Sequence, residues 1–256
     1  MFPEERRKEI VTLLMANQSI SVKELCDTLN ASEATIRRDL TLLEQEGKIE
    51  RTHGGAMISS SINVTEEPSF FQKESRYHDE KLRIAERAFD LIKENDSVVL
   101  DSGTTTLELA GLIGESTIPL VVVTNSTMAA HLIAKNEKVE LYTVGGKVRL
   151  NTLATVGNLA IDSLRRFNVN KAFIGSNGIT IESGLTTPDL AEADVKRVMM
   201  NMASEVTVLV DHSKFNKVAL CEAGPISKID RIITDTGLEQ YILDQYLRYD
   251  IDVIRV

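Results

Sequence analysis

The densest run of groups able to hold an anion is Asp101-Ser102-Gly103-Thr104-Thr105-Thr106, directly before the helical Leu107-Glu108-Leu109-Ala110. A glycine among hydroxyls at a helix start offers backbone N–H groups, hydroxyl donors and the positive end of the helix dipole, which together make a cradle for phosphate. Similar residues recur wherever a short apolar run gives way to a loop: Thr124-Asn125-Ser126, Gly145-Gly146-Lys147-Val148-Arg149, Gly175-Ser176-Asn177-Gly178 and Asp211-His212-Ser213-Lys214-Phe215. One such turn alone is no more than a capped helix start. Several converging on one place would bind a small anionic polyol. Nucleotide chemistry is excluded, because Gly145-Gly146-Lys147 lacks the upstream glycine (Leu141 stands there) and the following hydroxyl (Val148) of a phosphate-binding nucleotidase loop. No Gly-x-Gly-x-x-Gly follows a strand-like run, and the four histidines show no paired ligand spacing, so neither cofactor nor metal is expected.

For those loops to meet, the runs before them must lie side by side. Residues 97–100, 120–124, 140–144, 172–175, 206–210, 231–234 and 252–254 are short and β-rich, and they alternate with helical stretches. That alternation predicts a largely parallel sheet covered on both faces, with ligands collecting beyond the carboxyl ends of its strands. Upstream, Leu82, Ala85, Phe89 and Ile92 predict a helix, and Met199, Met200 and Met202 read as core filling.

A second kind of chemistry is written in the first sixty residues. Ser21-Val22-Lys23-Glu24 has the spacing of a capping box, and Val22, Leu25, Cys26 and Leu29 form one helical stripe behind it. After the break at Asn30-Ala31, Ser32 caps a third helix with the stripe Ile36, Leu40 and Leu43, stopped at Gly47. Opposite that stripe lie Ala34, Arg38 and Thr41, flanked by Thr35 and Arg37. Small and hydroxyl side chains allow close approach to a duplex, and arginines fork to phosphate or guanine edges. Residues 48–56 then alternate like a strand and turn at Gly54-Gly55, with Arg51 and His53 beside the turn, as in a wing laid along the DNA backbone. Helix, turn, helix and wing predict a winged helix-turn-helix that binds double-stranded DNA.

Composition limits the remaining possibilities. The chain has 256 residues, 43% hydrophobic and 26% charged, with a formal net charge of −9. Residues 1–58 carry eight basic side chains against ten acidic, and the rest 21 against 28, so DNA binding must come from an arranged patch and not from bulk charge. No apolar run approaches the roughly 20 residues of a membrane helix. The charged start is unlike a secretory signal, and two cysteines make no disulfide framework, so a cytoplasmic protein without membrane contact is expected. The expected domains are 1–57, the DNA-binding unit; 58–74, a linker rich in Ser, Thr and Glu; and 75–256, the α/β unit.

Ser32-Glu33-Ala34-Thr35-Ile36-Arg37-Arg38-Asp39-Leu40, with Arg51-Thr52-His53-Gly54-Gly55-Ala56, resembles the N-terminal signature of the DeoR family of bacterial sugar-operon regulators. The resemblance extends over nearly all of residues 75–256, whose polar loops are similar to the sensor-domain motifs of that family. It implies a sensor domain folded like ribose-5-phosphate isomerase, in a homo-oligomeric repressor released or engaged by a phosphorylated sugar. Ser32, Ala34, Thr35, Arg37, Arg38, Thr41, Arg51, His53, Gly54 and Gly55 would face operator DNA. By the same resemblance Ser102, Gly103, Thr104 and Thr105 would hold the effector's phosphate, Asn125, Arg149, Asn177 and Lys214 would line its pocket, and Asp101, Thr106, Gly145, Gly146 and Gly175 would complete the effector-binding set. Residues 179–197 look like the segment of the fructose-operon repressors, which favours fructose 1-phosphate over tagatose or galactitol phosphate. The alternative is an isomerase-like enzyme fused to a DNA-binding domain. Catalysis is not expected, because residues 175–179 supply no proton acceptor and leave only Asp101, Asp211 and Glu182 as acids.

Overall fold

Residues 3–17, 19–45, 49–52, 54–58 and 69–256 are described in the computed structural model of the chain, in two units, Met1–Glu66 and Glu67–Val256. The first unit runs α1 (Pro3–Asn17), β1 (Ser19–Ser21), α2 (Val22–Leu29), α3 (Glu33–Gln45), β2 (Ile49–Arg51) and β3 (Gly55–Ile58). The capping box forms: the Glu24 N–H donates to Ser21 Oγ at 3.2 Å, and the Ser21 N–H donates to the Glu24 carboxylate at 2.9 Å. Asn30 ends α2 in the left-handed conformation, φ 47°. The stripes of the helices close on one core that includes Ile10, Leu14, Leu25, Ile36, Leu40 and Ile49. Strand β3 is central in a three-stranded antiparallel sheet, β1-β3-β2. Three residues are too few to show a period, so β1 had no signature in the sequence. Gly47, His53 and most of the expected linker lie outside the described residues.

The second unit opens with α4 (Phe70–Glu74) and α5 (His78–Phe89). Then follow β4 (Ser97–Leu100), α6 (Thr104–Glu115), β5 (Leu120–Thr124), α7 (Thr127–Ile133), β6 (Val139–Thr143), β7 (Lys147–Arg149), β8 (Ala154–Val156) and α8 (Asn158–Leu164). The chain continues through β9 (Val169–Ile174), β10 (Gly178–Thr180), β11 (Gly184–Thr187), α9 (Leu190–Asn201), β12 (Ala203–Leu209), β13 (Cys221–Gly224), β14 (Arg231–Thr234), α10 (Gln240–Leu247) and β15 (Asp252–Arg255). The main sheet has seven parallel strands in the order β15-β14-β12-β9-β4-β5-β6. All seven expected runs lie in it, as the alternation of strands and helices requires. Alternate strand residues serve opposite cores, as a pleated strand dictates. Val98, Leu100, Val122 and Phe173 face α5, α6 and α7, whereas Val99, Val123, Ala172 and Ile174 join the core of α8, α9 and α10. Met199, Met200 and Met202 are buried in the latter.

Two small antiparallel sheets, β7-β8 and β10-β11-β13, had not been expected, their strands being three or four residues long. Residues 70–74, whose neighbours carry a linker's composition, form α4 instead. Ser69 and Gln72 make a second capping box, and Phe70 is buried in the core with Ile84 and Leu100. The buried stripe of α5 is Lys81, Ile84, Ala85 and Ala88, about one residue out of phase with the apolar spacing, so Lys81 rather than Leu82 faces inward.

Candidate functional site

The carboxyl ends of β4, β9 and β12 open on a cavity of about 240 Å³. Strand β4 ends at Asp101, whose buried carboxylate pairs with the equally buried Lys196 ammonium of α9. The Gly175 N–H donates to Asp101 Oδ2 at 3.0 Å, and Lys196 Nζ donates to the Gly175 carbonyl at 3.0 Å. This bracket fixes the ends of β4 and β9 side by side beneath the cavity. Thr106 Oγ1 tightens the turn by donating to the carbonyls of Asp101 (2.7 Å) and Gly103 (2.8 Å). Gly103 is the N-cap of α6, and no side chain caps it. The open N–H groups of the first turn therefore lie with Ser102, Gly103, Thr104 and Thr105 at the cavity wall.

Cations face this helix start from two other segments. Lys73 and Arg76 come from α4 and the turn after it, and Lys214 and Lys217 from the loop after β12. Lys81 lies behind them, and its burial, opposed by Asp211 and aided by Lys214, lowers its pKa to about 8. Lys217 is likewise held below the usual lysine value by desolvation and by Lys214. For Asp211, burial pushes the carboxyl up, but Lys214, two hydrogen bonds from Ser213 and Lys81 together outweigh it and leave the group more acidic than usual. Burial first, and neighbouring cations second, hold these ammonium groups below their usual values, an environment that an anion in the cavity would relieve.

Of the residues expected at the pocket, Ser102, Gly103, Thr104, Thr105, Gly175, Asn177 and Lys214 line the cavity. Asp101 and Thr106 brace it from beneath. Asn125 is buried beside β8, donating to the Thr155 carbonyl at 3.1 Å, with its Oδ1 lacking a hydrogen-bond partner among the described residues. Gly145 and Gly146 do not line it; Gly146, φ 151°, allows close passage of Val156. Arg149 is turned to Asp189 and Glu192, 3.2 Å from each. What sequence reasoning missed is Lys73, Arg76, Lys81, Lys217, Glu192 and Lys196. The available signal was charge on a buried stripe, since Glu192 and Lys196 stand on the inner face of α9 among Ala193, Val195 and Met199.

On the first unit, α3 presents Ala34, Arg37 and Arg38 to solvent, with Ser32 exposed and Thr35 and Thr41 half-buried. Ser32 Oγ accepts from the Thr35 N–H at 3.3 Å. Arg37 is pinned to Glu33 at 2.7 Å, and Arg51 reaches from β2 to Thr41 Oγ1 at 3.1 Å, joining helix and hairpin into one surface. Asp39 is buried on the other side, where Arg6 of α1 donates to it at 2.6 Å. Gly54 is exposed at the turn, whereas Gly55 is buried against Ile20 of β1, and His53 lies outside the described residues.

Residues 6–62 match the DeoR-like helix-turn-helix domain, and residues 76–236 match the DeoR C terminal sensor domain. The HTH-type transcriptional regulator GlpR of Haloferax volcanii is 38% identical, over 93% of this chain and 92% of its own length. The uncharacterised HTH-type transcriptional regulator FruR of Bacillus subtilis is 36% identical over 96% of each chain, and the lactose phosphotransferase system repressor of Lactococcus lactis 34% over 97% of each. The chain belongs to the DeoR family. It is a helix-turn-helix transcriptional regulator with a C-terminal sensor domain, and not an enzyme. Among solved structures, ribose 5-phosphate isomerase A of Methanocaldococcus jannaschii matches 54% of this chain and 55% of its own, with 22% identity and a TM-score of 0.41. No helix among the described residues is long and apolar enough to cross a membrane.

Proposed function

We propose that the chain is a repressor of a sugar-utilisation operon, controlled by a phosphorylated sugar bound at the carboxyl ends of β4, β9 and β12. The observation that carries this reading is the cavity itself, where the uncapped start of α6 faces Lys73, Arg76, Lys214 and Lys217. The phosphate lies against Ser102, Gly103, Thr104 and Thr105. The hydroxyls of the sugar meet Asn177, Thr152 and Glu192 on the wall nearer α9. Arg37, Arg38, Thr35 and Thr41 read the operator from α3, and Arg51 steadies the hairpin on the backbone. A homo-oligomer pairs two such helices on half-sites about 34 Å apart, and the effector shifts their spacing only as far as its affinity differs between the two states. Fructose 1-phosphate is the first sugar to test, on the strength of residues 179–197.

The test is a thermal-shift panel of phosphorylated sugars and their unphosphorylated parents on the full chain, followed by operator binding with each stabilising ligand. A ligand at a hundredfold its Kd adds about 2.7 kcal/mol, worth roughly 5–10 °C for a unit of this size. Stabilisation by phosphorylated members alone, with altered operator affinity, is the expected result. Equal stabilisation by the parent sugars, or none by any phosphate, overturns the reading.

A further inference from the structure

We propose that residues 69–77 form a strap over the cavity, fastened by Lys81, and that an anion bound in the cavity tightens it. This rests on the reading of the cavity as an anion site and adds which segment responds to its occupancy.

The strap has little stability of its own. Helix α4 is five residues long, a single turn and a half, below the length at which a helix holds itself in water. Its first end is pegged by Phe70, buried in the core beside Ile84 and Leu100. Its last carbonyls, which a helix end leaves without backbone partners, are gathered by one group. Lys81 Nζ donates to the carbonyls of Lys73 and Arg76 and, at 3.3 Å, to that of Glu74. Lys81 is 3% exposed, and although it borders the cavity its ammonium is engaged by the strap's backbone. Just past the fastening, Tyr77 adopts φ 52°, a left-handed conformation that bulky side chains rarely take. Its ring stands edge-on to His212 at 4.9 Å, and His212 is clamped by Asp235 through both its ring Nδ1 and its backbone N–H, each at 2.7 Å. The strap thus ends on the loop that carries Lys214.

Lys73 and Arg76 on the strap face Lys214 and Lys217 on the loop across the same cavity. A phosphate in the cavity would be in reach of cations from both segments and would draw them toward it. The strap-down state binds the anion with both sets of cations and the strap-up state with one, which is the differential affinity a switch requires. Ser69, at the head of the strap, is the first described residue of the second unit.

Hydrogen exchange on the full-length protein tests this, using fructose 1-phosphate and inorganic phosphate as probes, with binding of each measured by calorimetry. Binding is expected to slow exchange of the amides of residues 70–77 at least tenfold. In Lys81→Met the same amides are expected to exchange at least tenfold faster without ligand, while those of β4, β5 and β9 are unchanged. Calorimetric binding with strap exchange unaltered overturns the strap alone. Absence of binding by either probe overturns the cavity reading and the strap with it. Should Lys81→Met fail to fold, the wild-type measurement still decides.

Discussion

Lys196→Met isolates the bracket beneath the cavity. The substitution preserves length and apolar bulk but removes the ammonium that pairs with Asp101 and donates to the Gly175 carbonyl. Asp101, 1% exposed, is left as a buried carboxylate with the Gly175 N–H and no counter-charge in contact. Removing one member of a buried ion pair costs about 3–5 kcal/mol, because the survivor keeps its desolvation penalty and loses its compensation. At roughly 2–4 °C per kcal/mol for a domain of about 150–250 residues, the transition of the α/β unit should fall by roughly 6–20 °C. Asp101→Asn, which strands the ammonium instead, should fall by a similar amount. The double variant Asp101→Asn/Lys196→Met carries neither charge, and the new amide can still accept from the Gly175 N–H, so it should melt closer to the wild type than either single variant. Calorimetric or circular-dichroism melts of the four proteins at one pH and salt concentration give the cycle. Single variants that each cost under about 1 kcal/mol, or a double variant as unstable as the sum of the two, would refute the bracket.

The two proposed sites should separate cleanly. Arg38→Ala is expected to abolish specific operator binding in a mobility-shift assay while leaving the thermal shift with sugar phosphate intact, and Lys214→Ala should do the reverse. Anion affinity is expected to fall as pH rises above about 8, where Lys81 gives up its proton, with Lys217 also held below the usual lysine value; calorimetry across pH 7–10 checks this, and a flat profile contradicts it. The stability contribution has its own sign. Because the folded value of Lys81 lies below the unfolded 10.5, the unfolded chain binds the extra proton between about pH 8 and 10.5. The cost of burial, about 3 kcal/mol, is therefore full below pH 8 and fades as pH rises through that window. Gly55→Ala would drive a methyl group into the Ile20 carbonyl across β1 and β3. It should destabilise the first unit by about 1–3 kcal/mol, seen as weakened operator binding with the sensor transition unmoved.

How much of this was legible in the sequence depends on range. The seven main strands were readable because each holds a short apolar stretch, most of them rich in β-branched residues, that alternates with helical segments, and α2 and α3 because caps and stripes are local signals. The loop after β4 was readable for the same reason, its glycine and hydroxyls being adjacent in the chain. The cations were not, since Lys73, Arg76 and Lys81 come from segments more than a hundred residues away from Lys214 and Lys217, and only the assembled fold brings them together. Arg149 shows the converse. Its loop carries the composition of a ligand loop, but Asp189 and Glu192, some 40 residues on, take up its guanidinium. Composition placed residues 70–74 with the linker because it weighs polar neighbours and cannot see that Phe70 has a core to enter.

The carboxylates around the cavity are engaged in ways that suit binding better than proton transfer. An isomerisation needs a base free to take a proton from carbon. Glu192 accepts from Thr152 and Arg149 on Oε1, and Thr187 Oγ1 lies 3.3 Å from its Oε2, so both oxygens are engaged in holding α9 to the loops beside it. Asp101 is spent on Lys196 and Gly175. Asp211 accepts from the Ser213 backbone and hydroxyl and sits near Lys214, and being more acidic than an ordinary aspartate it is a correspondingly weaker base. Glu182 does not line the cavity. Each of the three acids at the cavity, Asp101, Asp211 and Glu192, instead orients a cation or a loop through the hydrogen bonds that occupy its oxygens. Binding energy that an enzyme would direct at a transition state is here available to move the segments that carry those cations, which is what a regulator needs.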